Sequence, residues 1–334
     1  MSISRKITGD ASGGSGGSGK YVDDVFSTYL YEGINSDLDI VNGIDLSDKG
    51  GMVWTKSRTA SYRHAIQDTE RGNGSSLDSS STAAEQDDRD SIRTWQPDGY
   101  TLGGNNLYNG SRVDYASWTF AKQEGFFDIV TWTGDNTVGR AVPHNLGSTP
   151  SMVIIKCVSH NVSWFVWHKD LLNYEYYLAL NTTASQANTN KGFTALPTDS
   201  ELNLTAYTGV NQSGREYVAY LFADDAPMFG PNGDESIIKC GSYTGNGSND
   251  GPEIDLGWEP QWILIKGSSS GAAYDWRLFD AMRGIPVGTG DKVLQPNKAA
   301  GEETENNLDL TATGFRLTNG GLATNKANET YIYM

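Results

Sequence analysis

The stretch "GWEPQWILIKG", Gly257 to Gly267, decides how the rest of the chain is read. A glycine, two residues, a proline and then an apolar run closed by a lysine describe a turn feeding a buried strand. The same phrase stands 110 positions upstream as "GSTPSMVIIKC", where Gly147, Pro150 and Lys156 match Gly257, Pro260 and Lys266 with no residue gained or lost. Another 100 positions upstream, "SDKGGMVWTKS" keeps Met52, Val53 and Lys56 but loses the glycine and the proline. A constant offset across three copies is the signature of internal repeats, and it sets the fold before any single element is assigned.

Working outward, each copy opens on an aromatic strand that ends at a glycine: "TYLYEG" at Gly33, "VTWTG" at Gly134 and "GSYTG" at Gly245. A short step then places Leu46, Leu146 and Leu256 at the same spacings. The lysine-ended strand follows, and after it a strand rich in aromatics, "SYRHAIQD", "SWFVWHKD" or "YDWRLFD". Late in the copy come "DGYTL" near Tyr100 and "TGFRL" near Phe315, with no clear counterpart in the second copy. Closing strands alternate aromatic and small residues: "YASWTF", "YVAYLF" and "YIYM". Continuous apolar runs such as "MVIIK" suit strands covered on both faces, and alternating runs suit strands with one face in a core. A sheet with one apolar face needs a second layer, so each copy is expected to be a β-sandwich.

Composition agrees with an all-β globular chain. Of 334 residues, 39 are glycine, and 9 Trp, 17 Tyr and 10 Phe supply large apolar side chains. Lys and Arg total 25 against 41 Asp and Glu, a net charge of −16 that repels phosphate backbones and excludes nucleic acid as the expected partner. The opening "MSISRKITGD" has cations but no apolar stretch behind them, so neither a secretory signal nor membrane insertion is expected. Synthesis in a cytoplasm follows, and Cys157 and Cys240, at non-equivalent places in the repeat, are expected to stay unpaired.

The expected organisation is an arm and a string of three sandwiches. Residues 1–25 form a flexible N-terminal arm, because "ASGGSGGSGK" behaves as flexible coil. Units follow at 26–122, 126–224 and 234–334. The third ends on "YIYM" where the second has "YVAYLFADD", so either the chain is a fragment or this unit lacks the end of its closing strand. In the arm, Ile3 and Ile7 alternate with polar residues, and Arg5 and Lys6 precede an otherwise acidic chain; these four are the candidate attachment residues, adding a strand to a partner's sheet edge.

The motifs "VDDVFSTYLYEG", "NGIDLSDKGGMVWTKSRTASYRHAIQDTERG", "PHNLGSTPSMVIIK", "YVAYLFA" and "IIKCGSYTGNGSNDGPEIDLGWEPQWILIK" together resemble a family of repeat-containing virion proteins of marine bacteriophages. The resemblance runs from about Ser2 to the end and implies a structural protein of a tail fibre or tail tip. It implies tail or adaptor proteins as partners of the arm, a homo-oligomer that is most simply a trimer, and a part in host attachment through a surface receptor or glycan. It carries no catalytic residues.

A search for chemistry points the same way. His64, His144, His160 and His168 match no common zinc spacing, and neither a nucleophile elbow nor a phosphate-binding loop occurs. Asp87, Asp88 and Asp90 could serve a depolymerase, but "AAEQDDRDS" reads first as a solvated loop. "TGNGSNDGPEID" offers oxygens without the EF-hand spacing. No enzyme, cofactor or metal site is therefore expected. Trp164, Trp167, Trp258 and Trp276 could line a carbohydrate- or receptor-binding face, but their place in repeated strands favours the core.

Overall fold

The computed structural model describes residues 19–188, 191–269, 271, 273–285, 288, 290–321 and 323–334. The chain is all-β, with a 3-10 turn at Val22–Asp24 and one helical turn at Asn106–Asn109 among the described residues. Each repeat builds one four-stranded antiparallel sheet with the same strand order. In unit one the closing strand Asp114–Ala121 lies between the opening strand Phe26–Glu32 and the lysine strand Gly51–Ser57, with Ala65–Asp68 on the outer edge. Glu216–Phe222 takes the same place between Phe127–Thr133 and Met152–Cys157, as does Thr330–Tyr333 between Gly241–Thr244 and Trp262–Gly267.

The three lysine strands thus occupy one position in three equivalent sheets. Gly147 and Gly257, which open two of them, have φ of +71° and +90°, a conformation that glycine adopts at little cost. Closing strands are as covered as lysine strands: Tyr115 through Ala121 are all buried. Their alternation therefore separates two buried environments, the sandwich's own core and the neighbouring unit.

A smaller sheet supplies the second layer. Leu38–Val41 pairs with Gly99–Leu102 and then Ile92–Gln96 in unit one, and Glu253–Asp255 with Gly314–Leu317 and Leu308–Thr311 in unit three. Unit two has a counterpart to "DGYTL" after all, Glu201–Leu204 paired with Arg140–Pro143. Its disguise is local: at Gly99 and Gly314 a Cβ would stand 1.8 and 1.9 Å from a carbonyl oxygen across the ladder, whereas unit two has Glu201 at that register and no glycine to mark it.

The units form a closed ring rather than the expected string. The Glu85 amide of unit one donates to Val158 O of unit two at 2.8 Å, and Gln186 of unit two to Ser268 O of unit three at 2.9 Å. Glu302 of unit three then donates to Arg58 O of unit one at 2.7 Å, which closes the circle. Each bond joins the residue just before the second strand of a short hairpin to the residue two past the shared lysine. Phe120, Phe127 and Phe222 meet between units one and two with centroids 5.0–5.7 Å apart, and Trp262 of unit three stands 5.7 Å from Phe120. One apolar cluster consequently runs through units one and two and takes in Leu264, Trp276, Leu278 and Ile332 of unit three.

Candidate functional site: three equivalent seams and a cleft on unit two

The side chains that could carry chemistry gather at the seams. Lys56, Lys156 and Lys266 are each fully buried. Lys156 Nζ donates to Cys157 O and Val162 O within its unit and to Thr82 O of unit one at 3.2 Å. Lys266 repeats the arrangement with Tyr274 O and, across the next seam, Thr183 O at 2.9 Å. Among the described residues Lys56 binds Ser57 O and Ala60 O, both within unit one. Burial pushes all three ammonium groups down to about 8.

The residue before the aromatic-rich strand is His64, Trp164 or Trp276. Trp164 Nε1 donates to Asp78 O of unit one at 2.9 Å, and Trp276 Nε1 to Ala179 O of unit two at 3.1 Å. His64 faces the Gln295 main chain of unit three through Nε2 without closing a bond of good geometry, while its Nδ1 accepts from Trp54 Nε1 at 2.9 Å. The last residue of that strand makes a second set of seam contacts. Asp68 accepts from Tyr220 OH of unit two at 2.7 Å, and Asp280 accepts from Trp118 Nε1 of unit one at 2.9 Å. His168 reaches Tyr333 O of unit three at 3.1 Å.

Asp68 and Asp280 are also held by Arg71 and Arg283, at 2.7 and 2.5 Å, inside the protein. His168 Nδ1 accepts the Asp170 amide at 3.1 Å, which fixes the neutral tautomer with the proton on Nε2. Burial holds its pKa down at about 4. These are positions for joining units, because Asp68, Asp280 and His168 each bond across a seam and are held within their own unit as well.

The candidate residues sort accordingly. Trp164, Trp167 and Trp276 are core, at 0, 2 and 1% exposure, and Trp258 is half-buried beside a groove. His144 spans a turn between Thr198 O and the Leu146 amide, and His160 contacts Ser159. Asp88 differs from the solvated loop residue expected. It pairs with Arg63 at 2.7 Å and accepts from Tyr108 OH and Ser76 Oγ, because the loop folds back over the sandwich. Asp87 and Asp90 remain at the surface with Arg89 and Arg93. Cys157 and Cys240 are free and buried. The loop after Gly245 is closed by Asn325, which donates to Asn246 Oδ1 and Ser248 O. Among the described residues no cluster of His, Cys, Asp and Glu is arranged to hold a metal, and no helix is long and apolar enough to cross a membrane. Ile3, Arg5, Lys6 and Ile7 lie outside the described residues.

One surface feature was not anticipated. Phe193 bridges Leu204 where units one and three place a third strand on the smaller sheet, and beside it opens a cleft of about 600 Å³. Tyr174 and Tyr207 line it with Glu175 and Val138, and Lys191 Nζ lies 5.1 Å from the centre of the Tyr207 ring. Thr205 Oγ1, also in the lining, is buried without a hydrogen-bond partner. Aromatic faces with a cation, a carboxylate and a hydroxyl close by are groups that recognise sugars. The signal in the sequence was the missing third strand, visible only once the unit is aligned to its neighbours in space.

Residues 21–334 match the family described as "Domain of unknown function (DUF7483)". The chain belongs to this family. The match runs unbroken through all three sandwiches, as expected if the ring and not the single sandwich is the unit of the family. No curated protein and no solved structure matches the chain.

Proposed function

We propose that this chain is a structural protein of a bacteriophage particle, a tail-fibre or tail-tip subunit attached through its N-terminal arm and contributing to host attachment. The observation that carries this reading is the closed ring. Three sandwiches whose lysine, histidine, aspartate and tryptophan side chains are engaged in holding one another form a rigid block suited to bearing load. The resemblance of the repeat motifs to phage virion proteins supports the same role. In this reading the protein is made in the host cytoplasm, ends in the virion appendage and assembles as a homotrimer.

Mass spectrometry of density-purified particles from an infected culture should detect the chain, and gold-labelled antibody should mark the tail. Its absence from purified particles would overturn the proposal. Deleting residues 2–19 should leave the melting temperature unchanged and remove the protein from particles. Light scattering should give three times the 36.2 kDa chain mass.

A second reading, in which unit two binds a host glycan, is favoured by the Tyr174, Lys191 and Tyr207 cleft. On a glycan array, binding lost in Tyr207→Ala with an unchanged melting temperature would support it. Binding that survives the substitution would remove the cleft from consideration.

A further inference from the structure

Three copies of one frame show which residues of unit two depart from it. The amide of the buried Asn109, Asn211 or Asn325 bonds the carbonyl four residues back at 2.8–2.9 Å, and that position is Asn105 in unit one, Gly321 in unit three and Tyr207 in unit two. In the short hairpins Ser76, Tyr177 and Val293 hold the same register, so Tyr174 stands where the other units have Asn73 and Gly290, and Glu175 where they have Gly74 and Asp291. Phe193 bridges Leu204 as Ile92 pairs with Leu102 and Leu308 with Leu317. Two residues back, Lys191 therefore replaces Asp90 of unit one and Asn306 of unit three.

These departures all line the cleft of about 600 Å³. Asp90 pairs with Arg93 at 2.7 Å, and Asn306 Oδ1 accepts the Gly290 amide at 2.8 Å. Lys191 has no carboxylate partner among the described residues, and its ammonium lies over the Tyr207 ring. Glu175 accepts from Asn188 Nδ2 at 3.2 Å instead. The net charge of −16 opposes an anion at long range, but charges more than about 8 Å away are largely screened at physiological ionic strength, so the lysine in the wall decides. A phosphate dianion calls for several donors, commonly arginines or successive amides, whereas one ammonium suits a single carboxylate.

We propose that the cleft takes an acidic sugar, a pyranose bearing one carboxylate such as a hexuronic acid unit of a surface polysaccharide; this rests on the reading of the cleft as a glycan site and names its ligand class. Lys191 pairs with the carboxylate, and the half-buried Tyr174 stacks on a C–H face of the ring. Glu175 and Thr205 Oγ1, a hydroxyl without a partner, take sugar hydroxyls. Tyr207 positions the lysine, since one face of its ring lies under the ammonium. Unit one sets Asp90 where the ligand's carboxylate would come, and unit three sets a neutral Asn306 there, so binding is confined to unit two.

The test uses the full chain on an array of neutral and uronate oligosaccharides, each uronate printed beside its carboxyl-reduced form, followed by calorimetric titration of the strongest pair. The acidic form should bind at least tenfold more tightly than the reduced form at low salt, and the preference should shrink at high salt. Lys191→Met should remove the preference while binding the reduced form as the wild type does, and Lys191→Arg should restore it. Tyr174→Ala should weaken both forms, with all melting temperatures unchanged. Equal binding of the two forms, or a preference that survives Lys191→Met, would overturn the acidic ligand; if Tyr174→Ala still weakens binding, the cleft stands as a glycan site of another class. Binding indifferent to both Tyr174→Ala and Tyr207→Ala, or no binding to any printed glycan, would overturn the glycan reading and this inference with it.

Discussion

Lys156 is the residue at which one side chain serves two units. Of its three carbonyl acceptors Cys157 O is buried, Val162 O and Thr82 O are partly so, and the last belongs to unit one, so Lys156→Met takes a donor from each and breaks a tie across the seam. Each unmet group costs about 1 kcal/mol or more, and a loss of roughly 2–4 kcal/mol is expected by urea denaturation. Lys56→Met, whose partners all lie in unit one, should cost less. His168 gives the acid response. Its folded pKa of about 4 lies below the ordinary 6.5, so the stability it contributes is complete above pH 6.5 and is lost as pH falls through 4. The melting temperature should therefore drop across that window, and His168→Gln should flatten the drop. At the alkaline end two groups oppose each other. The lysines, at about 8 in the fold and 10.5 outside it, make stability rise with pH between those values. Tyr115, Tyr217 and Tyr331, raised to about 12 from 10.0, make it fall above pH 10. Lys156→Met should make the rise between pH 8 and 10 shallower.

At the scale of the element, the turn after the opening strand is the most closely repeated device. Asn109, Asn211 and Asn325 are fully buried, and each accepts the amide just beyond the opening strand's glycine, from Ile34, Asp135 and Asn246. Six residues on, Tyr115, Tyr217 and Tyr331 accept main-chain amides through their hydroxyls and stack on Tyr31, Trp132 and Tyr243 at 5.1–5.5 Å. At Gly33, Gly134 and Gly245 a Cβ would stand 2.2–2.3 Å from the carbonyl oxygen of the opposing turn. Gly134→Ala should therefore lower the temperature at which the chain unfolds, measured by circular dichroism. These glycines and the lysine strands were legible in the sequence because they are contiguous or end a strand. The asparagine-to-tyrosine spacing was equally regular in "NGSRVDY", "NQSGREY" and "NKANETY", but its meaning depends on a bond to a segment about 75 residues away. The unit-two cleft was illegible for the opposite reason: it arises where a repeated strand is replaced, and replacement leaves no motif.

For the whole molecule, repetition predicted three sandwiches but not their closure, since the bonds that set the circle join main-chain groups that any sequence possesses, and the seam side chains find partners only in a neighbouring unit. Glu302 to Arg58 is one such bond, formed between residues 244 positions apart. One apolar cluster runs through units one and two and into unit three, where it lies against a second cluster that is unit three's own; with the seam bonds this coupling predicts a single unfolding transition in calorimetry of the intact chain. Trp164→Phe and Trp276→Phe, each deleting one seam hydrogen bond, should lower its midpoint by similar amounts, on the order of 1 kcal/mol each. Closure itself is tested most directly by a distance between units one and three. Spin labels on Thr59→Cys and Ala299→Cys sit at exposed sites beside the Arg58–Glu302 contact, and both native cysteines are buried. Pulsed electron resonance should give one narrow distance near about 20 Å for the ring. Three sandwiches in an open row, each about 30 Å across, would place the labels roughly 50 Å or more apart, and that result would contradict it.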